Sequence, residues 1–374
     1  MSGQSRSADT PHPQAVVAHI HHANLEHNLQ VARLAAPGSQ VMAVIKADAY
    51  GHGMLEVLPA LSDADAFAVA RVDEAVQLRQ AGVKKPLLVL GGFTSLAELG
   101  ILQQLDIQTV IHSLYQLELI QSQSGTVSGW VKLDTGMNRL GLDEEAFGQV
   151  MDLAAKDKKQ RLQIKALMTH LACADDPRSS RNIAQIRQFD AITRDLNYPQ
   201  SIANSAAILG LKESHRQWIR PGLMLYGLTP FDDLQPHAQL RPAMTLTAPL
   251  LSVKWVRRGE AVGYGATWQC QRDSLIGVVA AGYGDGYPRW MPSGAPVRVS
   301  GERAYLAGRV SMDLLTVDLT DIAERKGETS LKLGMPVTLF GEGLPAEELA
   351  RAAGTIPYVL TTGLTPRTKR GGSE

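Results

Sequence analysis

Cysteine is nearly absent from this 374-residue chain, which carries only Cys173 and Cys270. Two are too few for a disulfide framework and fit a reducing compartment, so the cytoplasm is the expected location. Net charge is absent too, with 37 Lys plus Arg against 37 Asp plus Glu. That balance removes the electrostatic case for a nucleic-acid partner or an anionic membrane surface. No apolar run approaches the roughly 18 residues of a membrane span. Residues 1–14 are polar, without the hydrophobic stretch of a signal peptide, and read as a disordered tail. What is present is a hydrophobic content of 44%, enough to bury a large core.

The length exceeds one ordinary domain, whereas a (β/α)8 barrel takes about 250 residues and leaves roughly 120 over. From residue 15 to 242 short β-branched runs alternate with longer amphipathic segments. The runs Val41–Lys46, Ala66–Ala70, Leu87–Leu90, Thr109–His112, Trp130–Asp134, Ile164–His170, Ser201–Asn204 and Leu223–Tyr226 read as strands. Helical patterns cover Val72–Ala81, Leu114–Gln121 and Asp143–Lys156. Strand–helix alternation predicts parallel βαβ units. Eight of them favour a closed TIM-type barrel of the α/β class over an open doubly wound sheet. The proline-bearing stretch Leu228–Pro242 reads as a linker. Residues 243–374 change character, with strand-like runs at Met244–Val256, Leu275–Ala281, Pro296–Val299, Asp313–Asp318 and Pro336–Phe340 and one helix, Ala346–Ala353, starting at Pro345. A mostly β C-terminal domain is expected there.

Chemistry-bearing residues gather at the ends of the barrel runs. The first run ends in Lys46, at the mouth where barrel active sites lie. Partial desolvation there would lower its pKa, as Schiff-base chemistry needs. From position alone, a solvated surface lysine is the commoner outcome. His170 closes the sixth run, Asn204 and Ser205 the seventh, and Arg220-Pro221-Gly222 precedes the eighth. Loops after strands seven and eight recurrently hold phosphate. A lysine on the first strand plus that phosphate site suggests pyridoxal 5'-phosphate. Singly, His170 reads equally as a buried histidine, Ser205 as a helix cap and Gly222 as a turn. Lys132 and Asp134 alternate onto one face, and Arg139 follows as a carboxylate grip or a surface arginine. Tyr264 and Tyr283 sit between glycines, which expose a ring or merely make turns. His19, His21, His22 and His27 match no strong metal pattern, so no metal site is expected.

These residues carry a specific resemblance. The segments Val44–Gly53, Lys132–Gly141, Met168–His170, Ala203–Ser205, Ile219–Gly222, Val262–Trp268, Gly282–Arg289 and Arg309–Asp313 occur in the order of the alanine racemase family, and the first resembles its cofactor-lysine signature. The resemblance implies a barrel, a β domain and a head-to-tail homodimer with shared active sites. It implies that Lys46 bears pyridoxal phosphate and works on the D-alanine face, while Tyr264 of the partner subunit works on the L face. Arg139, Met312 and Tyr283 are implied at the substrate. Arg220 is implied at the pyridine nitrogen, with His170 linking it to Tyr264. Tyr50, Asn204, Ser205, Gly222 and Tyr358 are implied around the cofactor, and Lys132 as a lysine carbamylated in many members. The implied activity supplies D-alanine for peptidoglycan or serves alanine catabolism. Two departures stand out: Asp48 where the family has Asn, and Val359 where an acidic residue usually follows the tyrosine. Rival readings are a non-catalytic pyridoxal-phosphate protein, which would lack a second base, and a decarboxylase, for which Arg220 has the wrong charge.

Overall fold

A computed structural model describes residues 16–373 except 236 and 238. The expected N-terminal tail and Pro236 of the expected linker lie outside the described residues. Two compact units emerge, residues 22–241 and the union of 16–21 with 242–373.

Strand β1 (Val17–His21) belongs to the second unit. The expectation that the barrel domain starts at residue 15 is therefore corrected: β1 pairs antiparallel with Met244–Val256 and parallel with Lys369–Ser373. A run this short carries no mark of which sheet it will join.

The first unit is a closed parallel barrel, with β2 (Gln40–Val44), β3 (Ala66–Val69), β4 (Leu87–Val89), β5 (Gln108–Ile111), β6 (Val127–Lys132), β7 (Leu162–Met168), β8 (Gln200–Ser201) and β9 (Trp218–Ile219). The β2–β9 register, Gln40 to Trp218 and Val41 to Ile219, closes it. Its interior is filled by Met42, Val44, Ala66, Ala68, Leu88, Val110, Trp130, Ala166 and Met168. Small alanines leave room for the Trp130 ring, which is 2% exposed and donates its indole N–H to Gln108 Oε1 at 2.7 Å. Helices begin where side chains satisfy the first free amides: Ser95, Ser113 and Asp143 each accept from the backbone three residues on.

The barrel strands are shifted from their expected bounds, and two of the differences bear on the site. The eighth strand is Trp218–Ile219, and Leu223–Tyr226 is a 3-10 turn. That apolar run is buried in either form, and Gly227, at φ 74°, ends it in a conformation suited to glycine. The residue before Pro221 is biased toward extended backbone, which agrees with a strand ending just ahead of it. Strand β2 ends at Val44, so Lys46 begins a turn rather than ending a strand.

In the second unit the main sheet adds β10 (Met244–Val256), β13 (Ser274–Val279), β14 (Pro296–Val299), β15 (Glu302–Leu306), β16 (Leu315–Asp318), β17 (Pro336–Phe340) and β18 (Lys369–Ser373), in the order β13-β16-β15-β14-β17-β10-β1-β18. A small ribbon pairs β11 (Ala261–Val262) with β12 (Trp268–Gln269). Besides the expected helix, here Ala346–Ala352, helices form at Thr320–Lys326 and Pro357–Thr362, which corrects the expectation of one. Both are too short to show a helical period. Three of the early histidines make structural bonds: His19 and His21 bond Thr247 and Thr245 across β1 and β10 at 3.0 and 2.8 Å. His27 reaches Gln239 O at 2.9 Å.

The helix His22–Ala35 buries Leu25, Asn28, Leu29 and Ala32, a helical spacing toward the barrel unit's own core. Asn28 is fully buried. It donates to Leu225 O and Arg241 O and accepts from Arg241 N, at 3.0, 2.8 and 2.9 Å. It thereby anchors the turn that follows Gly222. Asn28→Ala strips partners from one buried and two part-buried backbone groups, so a loss of about 1–2 kcal/mol is expected, read as a lower urea midpoint.

Candidate active site

Strand β2 delivers Ile45 and Lys46 to one rim of the barrel. Beyond them Ala47, Asp48, Ala49 and Tyr50 all have φ of 52–53°, a left-handed turn built largely from residues that avoid it. Each such residue costs ~1–2 kcal/mol. The turn closes on glycine, with Gly51 N donating to Ala47 O at 3.0 Å, and Asp48 Oδ1 accepts from Met54 N at 2.7 Å. Aspartate tolerates this region as asparagine does, so the departure at Asp48 keeps the local fold. Half-buried Lys46 is held below its usual lysine value, first by desolvation and then by the Arg139 charge, with Glu74 opposing.

Lys132, the last residue of β6, is 8% exposed. Burial, then Arg220 and Arg139, push its amine down to about 8, against a raising effect of Asp134. Asp134 does not pair with it through a short contact; its Oδ1 accepts from Gly136, Met137 and Asn138 N at 2.9–3.1 Å. That carboxylate shapes the loop carrying Arg139, and Gly141 is required there because a Cβ would lie 2.8 Å from Asp134.

Arg220 is 4% exposed, and its guanidinium is held at both terminal nitrogens. It donates to Ser201 Oγ (2.5 Å), Thr169 O (2.8 Å), Ile202 O (3.2 Å) and His170 Nδ1 (3.3 Å). Burial lowers it to about 10, still cationic near neutrality. Guanidinium has no acceptor, so Nδ1 of His170 must present a lone pair and its proton sits on Nε2. Burial and the surrounding cations, Arg220 first, keep that ring neutral well below its usual range.

Beside the strand that leads to Lys46, Ser205 Oγ accepts from Gly222 N and Met224 N at 2.9 and 3.3 Å. Asn204 caps the short helix Ser205–Gly210 through Ala207 N at 3.1 Å. A Cβ on Gly222 would lie 2.7 Å from Tyr50 Oη, so any larger residue would have to displace that hydroxyl. Tyr226 donates to Val44 O at 3.0 Å and stacks on Tyr50 with centroids 4.9 Å apart. The barrel rim therefore brings together Lys46, Tyr50, Lys132, Arg139, His170, Asn204, Ser205, Arg220 and Gly222.

The remaining candidates belong to the second unit. Tyr264 opens a turn between Gly263 and Gly265, both at positive φ, and is 68% exposed. Tyr283 N donates to Ser311 O at 3.1 Å and Gly284 N to Met312 O at 2.8 Å, so Tyr283 and Met312 share one exposed patch. Half-buried Tyr358 is the second residue of the helix Pro357–Thr362. Val359 lies in the same helix. Sequence reasoning missed Tyr226, hidden in an apolar run, and the buried group Thr135, Thr169 and Gln185. Thr135 Oγ1 and Thr169 Oγ1 are 2.9 Å apart, and Gln185 Nε2 donates to Thr135 Oγ1 and His170 O, each at 3.2 Å. The two threonines lie inside motif segments that gave them no role, and no motif marks Gln185 or Tyr226.

The depressed His170 has a thermodynamic signature. Its folded value lies below the unfolded 6.5, so the stability it contributes is fully present above 6.5 and is lost as pH falls below it. Nitrogen-15 NMR of the ring is expected to show the neutral Nε2–H tautomer at pH 6. A ring titrating at 6.5 would contradict the arrangement.

Comparison with known proteins covers both units. The family model for the alanine racemase N-terminal domain matches residues 20–230, and that for the C-terminal domain matches residues 243–371. The alanine racemases of Photobacterium profundum and Vibrio cholerae are 44% and 45% identical to this chain. The aligned regions cover 95% of it in both cases, and 98% and 97% of the respective relatives. The crystal structure of biosynthetic alanine racemase from Pseudomonas aeruginosa superposes with TM-score 0.89 at 42% identity, covering 96% of this chain and all of that one. That of the Bartonella henselae alanine racemase with covalently bound pyridoxal phosphate gives 0.86 at 28% identity, over 96% and 99%. The chain belongs to the alanine racemase family.

Proposed function

We propose that this chain interconverts L-alanine and D-alanine with pyridoxal 5'-phosphate held on Lys46. The observation that carries the reading is a single barrel rim that holds a partly desolvated amine, a buried guanidinium and a close approach of Tyr50 to Gly222. These residues fit the cofactor. Lys46 offers the amine for its carbonyl, and depressed basicity favours the unprotonated form that attacks. Tyr50, Ser205 and the Gly222 backbone, with Asn204 fixing the Ser205 turn, suit its phosphate, and Tyr358 is assigned there too. Arg220 would partner its pyridine nitrogen.

When bound, pyridoxal phosphate withdraws electron density from the substrate Cα and eases loss of its proton. The protein decides where that proton goes. Lys46 Nζ takes or returns it on the D face. Tyr264 Oη of the partner subunit serves the opposite face, which an exposed tyrosine on a glycine-flanked turn is built to reach. Two groups on opposite faces are the direct route to inversion. Arg220 donates a hydrogen bond but yields no proton at working pH, and neutral His170 orients it. Arg139 grips the substrate carboxylate, with Met312 and Tyr283 of the partner subunit closing that side. Carbamylation of Lys132 would replace a cation by an anion among cations and let it orient Arg139. The enzyme so read is a cytoplasmic homodimer supplying D-alanine for the cell wall or serving alanine breakdown. Among the described residues, no helix is long and apolar enough to cross a membrane.

Mixed dimers test the chemistry and the shared site together. Lys46→Ala and Tyr264→Phe subunits should each be severely impaired alone. Co-expressed, half the dimers are mixed and each holds one intact site, restoring about a quarter of wild-type racemisation. No restoration would place both groups on one subunit. A wild-type protein that leaves alanine enantiomers unchanged would end the proposal.

A further inference from the structure

Glu74 lies outside the residues that carry the family resemblance, yet its carboxylate is saturated with backbone amides from two rim segments. Oε1 accepts from Ala47 N at 2.7 Å. Oε2 accepts from Ala70 N at 2.8 Å and Arg71 N at 3.1 Å. Ala47 follows Lys46 directly and starts the left-handed turn. Ala70 and Arg71 leave the end of β3, the neighbouring strand, and Glu74 itself stands in the first turn of the helix Val72–Gln80. Within the turn, later amides close on local carbonyls: Ala49 N on Ile45 O, Gly51 N on Ala47 O and His52 N on Ala49 O, at 2.9–3.0 Å. The Ala47 amide instead points out to Glu74.

We propose that Glu74 is a positioning residue for Lys46, its carboxylate clamping the left-handed turn to the end of β3 so that the lysine leaves a fixed backbone. The proposal rests on the reading of Lys46 as the cofactor lysine. A carboxylate suits the task because it only accepts, and all three groups facing it only donate. Its charge acts on Lys46 as well. The charged or titratable groups that bear on that amine are Arg139, Lys132, His170 and Glu74, and among these only Glu74 favours the ammonium form. A rigid turn with a local counter-charge keeps the amine placed without leaving it among cations alone.

Glu74→Gln keeps the size and removes the charge, and one of its ends must turn N–H toward N–H. Three results are expected in the full chain. Hydrogen exchange of the peptide spanning residues 46–50 speeds up. Turnover falls about tenfold with little change in KM, equivalent to ~1.4 kcal/mol. In cofactor-free protein the Lys46 amine becomes reactive toward an amine-selective reagent at lower pH, because the neighbouring negative charge is gone. Asp73→Asn is the control. Asp73 pairs with Arg71 on the same helical turn, so its loss changes charge without touching Ala47. Glu74→Asp separates the two effects and serves if Glu74→Gln does not fold: the shorter arm frees the Ala47 amide while the Lys46 pH response stays near wild type. Unchanged exchange in either variant, or an equal pH shift in Asp73→Asn, overturns the clamp. A wild-type protein that binds no pyridoxal phosphate overturns the reading of Lys46 instead, and exchange at Ala47 still reports on the clamp.

Discussion

Crowding of positive charge at the barrel rim is the constraint on which the site depends. Lys46, Lys132, Arg139 and Arg220 bear on one another, and among the described residues the carboxylates that oppose them are Glu74 and Asp134. Both carboxylates are occupied with backbone amides. The crowding shows as lowered basicity: burial weakens both lysines as bases, and His170 stays uncharged. A rim in that condition favours anionic ligands. Phosphate and carboxylate groups are what the proposed cofactor and substrate bring.

Rigidity comes from backbone capture rather than from ion pairs. Arg220 is fixed by two carbonyls, a hydroxyl and an imidazole, and Asp134, Glu74 and Ser205 each bind two or more backbone amides. Side chains that satisfy backbone groups pin the loops at the cost of their own freedom. They leave the reactive groups, Lys46 and Arg139, as the long side chains still able to meet a ligand. The strained Ala47–Tyr50 turn fits the same pattern, because strain survives only where its surroundings over-determine it.

Much of this was legible in the sequence. Alternation of β-branched runs and amphipathic stretches marks the barrel because parallel strands must be buried on both faces. Strands β10, β14 and β17 coincide with their expected bounds, since each is a compact apolar run between turns. The misread elements were those whose identity is set elsewhere. Leu223–Tyr226 is buried as a turn as readily as a strand, β8 and β9 are two residues each, and β1 is claimed by a distant sheet. At the site, Lys46, Arg220, Ser205 and Gly222 could be named because a motif holds them in order. Glu74, Tyr226 and Gln185 could not, because their role exists only once strands from separate stretches of chain lie side by side.

The central claim is that Lys46 carries the cofactor, and one measurement addresses it directly. Reducing the pyridoxal-phosphate-loaded protein with borohydride fixes the cofactor to whichever amine holds it. Digestion and mass spectrometry then locate the modified residue. The account expects the adduct on Lys46, with Lys132 and the surface lysines unmodified. An adduct on another lysine, or none after reduction, would contradict it.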